Sequence, residues 1–175
     1  MLHPVRRVVT TNDADGKSGV MIDGIADNII TVLTELWITA KGPVNHTDGI
    51  DHAAASTQLE PPQGGTLFRY FQIAPESAQA HLSAEERRQV SADWFAAMRG
   101  GHLQPDTSRH PAMHKSPTTD YIILLSGQIT LVLDKEERDL QPLDVVVQRG
   151  TNHAWVNHGT QDALLMAVLV SDGSA

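Results

Sequence analysis

Between Asp120 and Val170 no apolar run lasts long before a turn residue interrupts it, and this rhythm constrains the fold more than any other feature. Asp120–Leu125, Gln128–Leu133, Val145–Gln148, His153–Asn157 and Ala163–Val170 each have the length of a strand. The breaks fall at Ser126-Gly127, Asp134-Lys135-Glu136-Glu137, Arg149-Gly150 and Asn157-His158-Gly159. Short strands at near-regular spacing argue for a sandwich or barrel, not a parallel sheet wound with helices. His110–Lys115 reads as one more strand, closed by Ser116-Pro117.

The N-terminal half carries the same signal more loosely. Val5–Thr10, Gly19–Ile22, Asn28–Thr39 and Thr66–Ile73 read as strands, and Asp13-Ala14-Asp15-Gly16 as a turn. Residues 43–65 hold Pro43, Pro61, Pro62, Gly49, Gly64 and Gly65 around a polar middle, which predicts an arm or lid containing His46 and His52. One helix is expected at about 84–99. Ser83 and Glu86 form a capping box, Val90, Trp94 and Met98 recur every four residues as a core stripe, and Gly100-Gly101 stops it. The predicted fold class is all-β, with N-terminal strands and one short helix. Residues 1–175 read as a single domain: strands and loop over 1–80, helix over 81–101, core barrel over 105–170.

Composition bounds the function. The chain of 175 residues can bury a sizeable core. It has no cysteine, which excludes disulfides, thiolate metal sites and a cysteine nucleophile. A net charge of -8 speaks against a nucleic-acid partner held by a basic face. The run Ala163–Val170 is too short to cross a membrane as a helix, and the first residues lack the apolar stretch of a signal peptide, so a cytoplasmic protein is expected. No phosphate loop, nucleophile elbow or His-Glu-x-x-His helix is present, and neither nucleotide nor flavin is expected.

Chemistry concentrates in two frames. The first runs from His114 through Ser116 and Asp120 to Gly127, the second from Gln148 through Gly150, His153 and Trp155 to Asn157. Strand periodicity puts His114 with Ser116 on one face, and His153, Trp155 and Asn157 on another. If the faces coincide, His114, Asp120 and His153 form a set of two imidazoles and a carboxylate. His110 lies too far along the chain to join them, His158 falls in a turn, and Arg69 reads as a surface ion-pair partner or, alternatively, an anchor for an acidic ligand.

These frames resemble the two motifs of the cupin family. His114, Asp120 and Gly127 match the first motif, and Gly150, His153 and Asn157 match the second. Ser116 stands where the family has a second histidine, Asp120 where it has glutamate, Gln148 where it has proline, and Leu143 at a turn usually given to glycine. The string Gln148 to Asn157 is similar to a group of small cupins found in bacteria and near fungal polyketide pathways. The resemblance implies a jelly-roll barrel or double-stranded β-helix, a homodimer, and a small-molecule site in the barrel mouth. Its implied site has His114, Asp120 and His153 as metal ligands and catalytic residues, with Ser116, Trp155 and Asn157 lining the pocket. Iron, manganese, nickel or zinc would suit such a set. The leading expectation is a metal-assisted lyase, isomerase, decarboxylase or dioxygenase acting on a small oxygenated organic substrate. The alternatives are metal-free acid–base chemistry at the same residues, or a non-catalytic ligand-binding barrel.

Overall fold

The computed structural model of the chain describes residues 2–54 and 58–173. It contains β1 (Arg6–Asn12), β2 (Ser18–Ile25), β3 (Ile29–Ile30), β4 (Leu33–Thr39), β5 (Thr66–Ile73), α1 (Ala84–Ala97), β6 (Thr118–Ser126), β7 (Ile129–Leu133), β8 (Glu137–Leu140), β9 (Val145–Arg149), β10 (His153–Val156) and β11 (Ala163–Ser171). Two short 3-10 turns, Glu76–Gln79 and Gly101–Leu103, flank the helix. The chain is all-β apart from these helical pieces, as the spacing of turns predicts. No helix of the described residues is long and apolar enough to cross a membrane.

A six-stranded sheet in the order β3-β4-β5-β11-β6-β9 faces a three-stranded sheet in the order β10-β7-β8, while β1 and β2 form a separate hairpin. The core between the two main sheets is built from alternate residues of the strands. Leu67, Ile122, Leu124, Ile129 and Leu165 are buried there, while Phe68, Leu125, Leu164 and Met166, on the other face, pack against a second cluster of Ala26, Leu36 and Tyr70. Each buried leucine or isoleucine contributes about 1.5–3 kcal/mol of hydrophobic stabilisation.

Several local expectations change. The run from Asn28 to Thr39 is two strands, because Thr31 takes a positive φ of 53° and turns the chain between them. His110–Lys115 is not a strand: His114 alone makes a bridge, to His153. Its neighbours are tied into local turns, with the Met113 amide donating to the His110 carbonyl. β8 is a strand that the charge-rich Glu137-Arg138-Asp139 concealed; Thr130 holds it by donating to Asp139 at 2.7 Å.

The helix begins as expected, since the Ser83 side chain accepts from the Glu86 amide and Glu86 accepts from the Ser83 amide. Its core stripe is displaced. Phe95 and Met98 are buried with Leu33, Leu59 and Leu103, whereas Val90 is 47% exposed. Residues 43–65, expected as an arm or a lid, run as an arm along the outside. Their first part docks against the hairpin and β4, where Arg7 pairs with Asp51, the His46 carbonyl accepts from Thr11, and His52 packs edge-on against Trp37; Leu59 then packs with Phe95 and Met98 and lines the cavity. Residues 55–57 of that segment lie outside the described residues.

Candidate functional site

The open end of the barrel leads into a cavity of about 660 Å³. Phe71 and Trp155 give it an apolar wall, α1 closes one side with Val90, Trp94 and Phe95, and His114, His153 and Asp120 also line it. Trp94 is placed by a hydrogen bond from its indole nitrogen to Thr31 at 2.7 Å. Thus the helix supplies part of the ligand chamber as well as core.

The two histidines are brought together by backbone pairing. The His114 amide donates to the His153 carbonyl at 2.8 Å, and the His153 amide returns the bond at 2.9 Å. Their rings lie 4.3 Å apart, centroid to centroid. Each ring is fixed by a carbonyl two residues earlier: His114 Nδ1 lies 3.0 Å from the Ala112 oxygen and His153 Nδ1 lies 2.9 Å from the Thr151 oxygen. A carbonyl only accepts, so Nδ1 is the donor in both rings and Nε2 carries the lone pair. Burial lowers the basicity of both. His153 is depressed to about 3 by burial and by the neighbouring His114, against the pull of the Thr151 and His114 carbonyls. His114 is lowered by burial, partly offset by the Ala112 carbonyl, with the Arg69 charge lowering it further.

Asp120 reaches the cavity by a different route. Ser116, Thr118 and Asp120 alternate along one face, all buried. Ser116 and Thr118 hydroxyls are 2.7 Å apart, and Thr118 donates to the Asp120 carboxylate. With Asp120 ionised, Thr118 spends its single proton on the carboxylate, so Ser116 is the donor to Thr118 and the relay points inward to Asp120. The other carboxylate oxygen, Oδ1, is buried with no hydrogen-bond partner. Burial raises the Asp120 pKa to about 6, in spite of Thr118 and the Arg69 charge.

Arg69 is neither a surface residue nor a free anchor. It is 3% exposed and pairs across β4 and β5 with Glu35, which is fully buried, at 2.7 Å. The same guanidinium donates to the Leu59 and Gln58 carbonyls at 2.9 and 3.0 Å, stitching the loop to the barrel wall. Burial lifts Glu35 above the ordinary carboxylate range and lowers Arg69, each being the other's main counterweight. The signal for this pair was a charge of each sign inside two otherwise apolar strands. The same kind of signal, small polar residues at period two, marked Ser116-x-Thr118-x-Asp120.

Asn157 borders the cavity, but its amide is taken up by the backbone: it donates to Ile73 and Gln161 at 2.8 Å each and accepts from Gly159 at 2.8 Å. It holds the β10–β11 loop. His110 and His158 both face Glu76 at the rim, at 3.8 and 3.4 Å, and His52 pairs with Asp48 well outside the cavity lining.

The donors fit a metal ion only in part. Two neutral imidazoles held through Nδ1 are presented as ligating histidines are. The third member is missing: among the described residues no three His, Asp or Glu side chains come together so as to hold a metal. Asp120 is engaged by Thr118, and so is the Ser116 hydroxyl. The expected metal triad of His114, Asp120 and His153 is therefore not assembled, although all three line one cavity.

Comparison with known proteins bears on the same segment. The Cupin domain family model matches residues 101–169, which include both histidines and Asp120. The chain is 54% identical over 46 residues to Phomopsin biosynthesis cluster protein C' of Diaporthe leptostromiformis, covering 26% of this chain and 24% of that protein. It is 37% identical over 62 residues to a cupin-domain-containing oxidoreductase of Aspergillus ruber, covering 33% of this chain and 30% of the relative. The chain thus spans less than a third of the length of these two curated relatives. Among solved structures, a Cupin 2 conserved barrel domain protein from Salinispora arenicola aligns over 61% of this chain and 64% of its own, with a TM-score of 0.39 and 18% identity. The family match falls on strands β6 to β11 and on the paired histidines, so this part of the chain is similar to a cupin domain.

Proposed function

We propose that the barrel binds a small oxygenated organic molecule and moves a proton within it, without help from a metal. The observation that supports this best is the pairing of two neutral, tautomer-fixed imidazoles with a buried carboxyl of pKa about 6 in one largely apolar cavity. A carboxyl with a pKa near the working pH exchanges protons in both directions, which is what a general acid–base group requires. Asp120 is that group. In a keto–enol interconversion its carboxylate takes a proton from the carbon beside a carbonyl and delivers one to the oxygen, so bonds and protons balance with no oxidant. Burial weakens both imidazoles as bases, and His114 and His153 accept hydrogen bonds at Nε2 and orient the substrate. Phe71, Trp155 and the helix keep bulk water from the reacting atoms. A dehydration driven by the same proton transfer is equally compatible with this arrangement.

The name of the Aspergillus ruber relative is that of an oxidoreductase, which a proton-transfer step can accompany when another protein supplies the redox partner. Within this reading residues 1–175 act as one unit, whose described hairpin and sheet edges are the surfaces open to a second copy.

The test is isotope exchange. Full-length protein is incubated with 1-phenyl-1,3-butanedione and related enolisable 1,3-dicarbonyls in deuterium oxide, and loss of the proton between the carbonyls is followed by nuclear magnetic resonance. Catalysed exchange that Asp120→Asn abolishes supports the reading. Binding of these probes with no exchange above the buffer rate refutes it in favour of a ligand-binding barrel.

A further inference from the structure

The histidine end of the cavity has a one-sided hydrogen-bonding character. The Nδ1 protons of His114 and His153 are committed to the Ala112 and Thr151 carbonyls, which leaves an acceptor nitrogen on each ring. The Ser116 and Thr118 protons are committed in sequence towards Asp120. The Arg69 guanidinium directs its Nε and Nη2 to Glu35, with further bonds to the loop carbonyls of Leu59 and Gln58. Asp120, 5% exposed, keeps Oδ1 without a partner. A buried oxygen of this kind costs stability until a donor reaches it, and Asp120 is one of the residues that line the cavity.

We propose that this end of the cavity selects ligands that donate hydrogen bonds, namely hydroxylated molecules such as alcohols, phenols, diols and enols, with Nε2 of His114, Nε2 of His153 and Oδ1 of Asp120 as the acceptors. Molecules whose oxygens only accept, such as ethers and non-enolisable aldehydes, bring lone pairs against lone pairs. Sites whose polar groups are committed to one sense of hydrogen bonding reject ligands of the opposite sense more strongly than apolar pockets reject a change of size. The inference rests on the same three residues as the proposed function and specifies their substrate class: the hydroxyl form of an enolisable compound is the form held.

The experiment is calorimetric titration of the full chain with a matched set of probes: 4-propylcatechol, its dimethyl ether and 4-propylbenzaldehyde. They share an apolar body and differ in whether they donate. The catechol is expected to bind at least tenfold more tightly than either of the others. In Asp120→Ala and in His114→Ala, each checked by circular dichroism and thermal melting, the preference is expected to fall below threefold. Equal or tighter binding of the ether or the aldehyde by the unmodified protein overturns the inference, as does no measurable binding of the catechol. Failure of the proposed function looks different. A clear preference for the catechol without isotope exchange on 1,3-dicarbonyls upholds the inference and removes the catalytic reading. Exchange without any preference does the reverse.

Discussion

Replacing Asp120 by asparagine is expected to make the protein more stable at neutral and alkaline pH while removing its proton-transfer group. The folded protein raises the Asp120 pKa from 3.8 to about 6. Above the unfolded value the folded state therefore holds a proton that the unfolded state has released, so stability falls as pH rises from about 4 to 6 and stays low beyond. At about 1.4 kcal/mol per pH unit the carboxylate costs roughly 3 kcal/mol at pH 8. Asparagine keeps the shape, carries no charge and escapes that cost. In a chain of this size such a gain corresponds to about 6–12 °C in melting temperature. His153 works in the opposite sense. Its pKa is lowered from 6.5 to about 3, so the unfolded state gains a proton first and stability is lost as pH falls through that range. The two slopes oppose each other between pH 4 and 6 in the native protein, and Asp120→Asn leaves the histidine slope uncovered. Urea melts of both proteins at pH 4, 5, 6 and 8 read all of this directly. A variant less stable than the parent at pH 8, or a difference that does not change with pH, would refute the assignment of Asp120 as a carboxyl made weak by burial.

Other expectations follow from single contacts. Arg69→Met leaves Glu35 charged and buried and frees the Leu59 and Gln58 carbonyls, at a cost of about 3–5 kcal/mol in chemical denaturation; a Glu35→Leu/Arg69→Met double variant should recover more than half of it. Gly127→Ala is expected to cost about 2–4 kcal/mol, because a Cβ there would sit 2.8 Å from the Asp162 oxygen at a φ of 82°; an unchanged melting temperature counts against the tight turn. Leu143 adopts a φ of 77° with its side chain 77% exposed, so Leu143→Gly should raise stability by about 1 kcal/mol, visible as a later urea midpoint. Chelator treatment should leave isotope exchange unchanged, since the donors are two imidazoles without a grouped third ligand; loss of exchange that iron(II), manganese, nickel or zinc restores would reinstate the metal-assisted mechanism.

What could be read from sequence was whatever depends on local periodicity. Strand β5 is found at its expected limits, Thr66–Ile73, and the capping box at Ser83 and Glu86 closes as expected, because both are decided within a few residues. What could not be read depends on partners far along the chain. Glu35 and Arg69 meet only because β4 and β5 pair antiparallel across the 43–65 loop, with a bulge after Glu35 that resets the register. β8 carries three charged residues in a row and becomes a strand because β7 offers it an edge. His110–Lys115 has the composition of a strand but reaches a partner only at His114.

The same division explains the site. Spacing alone identified His114 and His153, and the paired backbone places their rings together. It also suggested a triad with Asp120, which lines the same cavity without being grouped with the two imidazoles as a metal site. Two neighbouring departures from the family's motif bear on this. Serine at 116 is too short to serve as an imidazole does, and the Thr118 hydroxyl takes its oxygen as a partner. Aspartate at 120 is one methylene shorter than glutamate and is held by the same threonine. A pattern that in its relatives would be read as four ligands here becomes two acceptors and a hydroxyl relay ending on a buried carboxyl. Ser116 is therefore a test of the whole interpretation: Ser116→Ala removes the first hydrogen of the relay, leaves Thr118 to choose its partner, and should shift the pH at which isotope exchange is half-maximal while leaving the fold intact. A pH profile identical to the parent's would mean that the relay has no part in setting the state of Asp120.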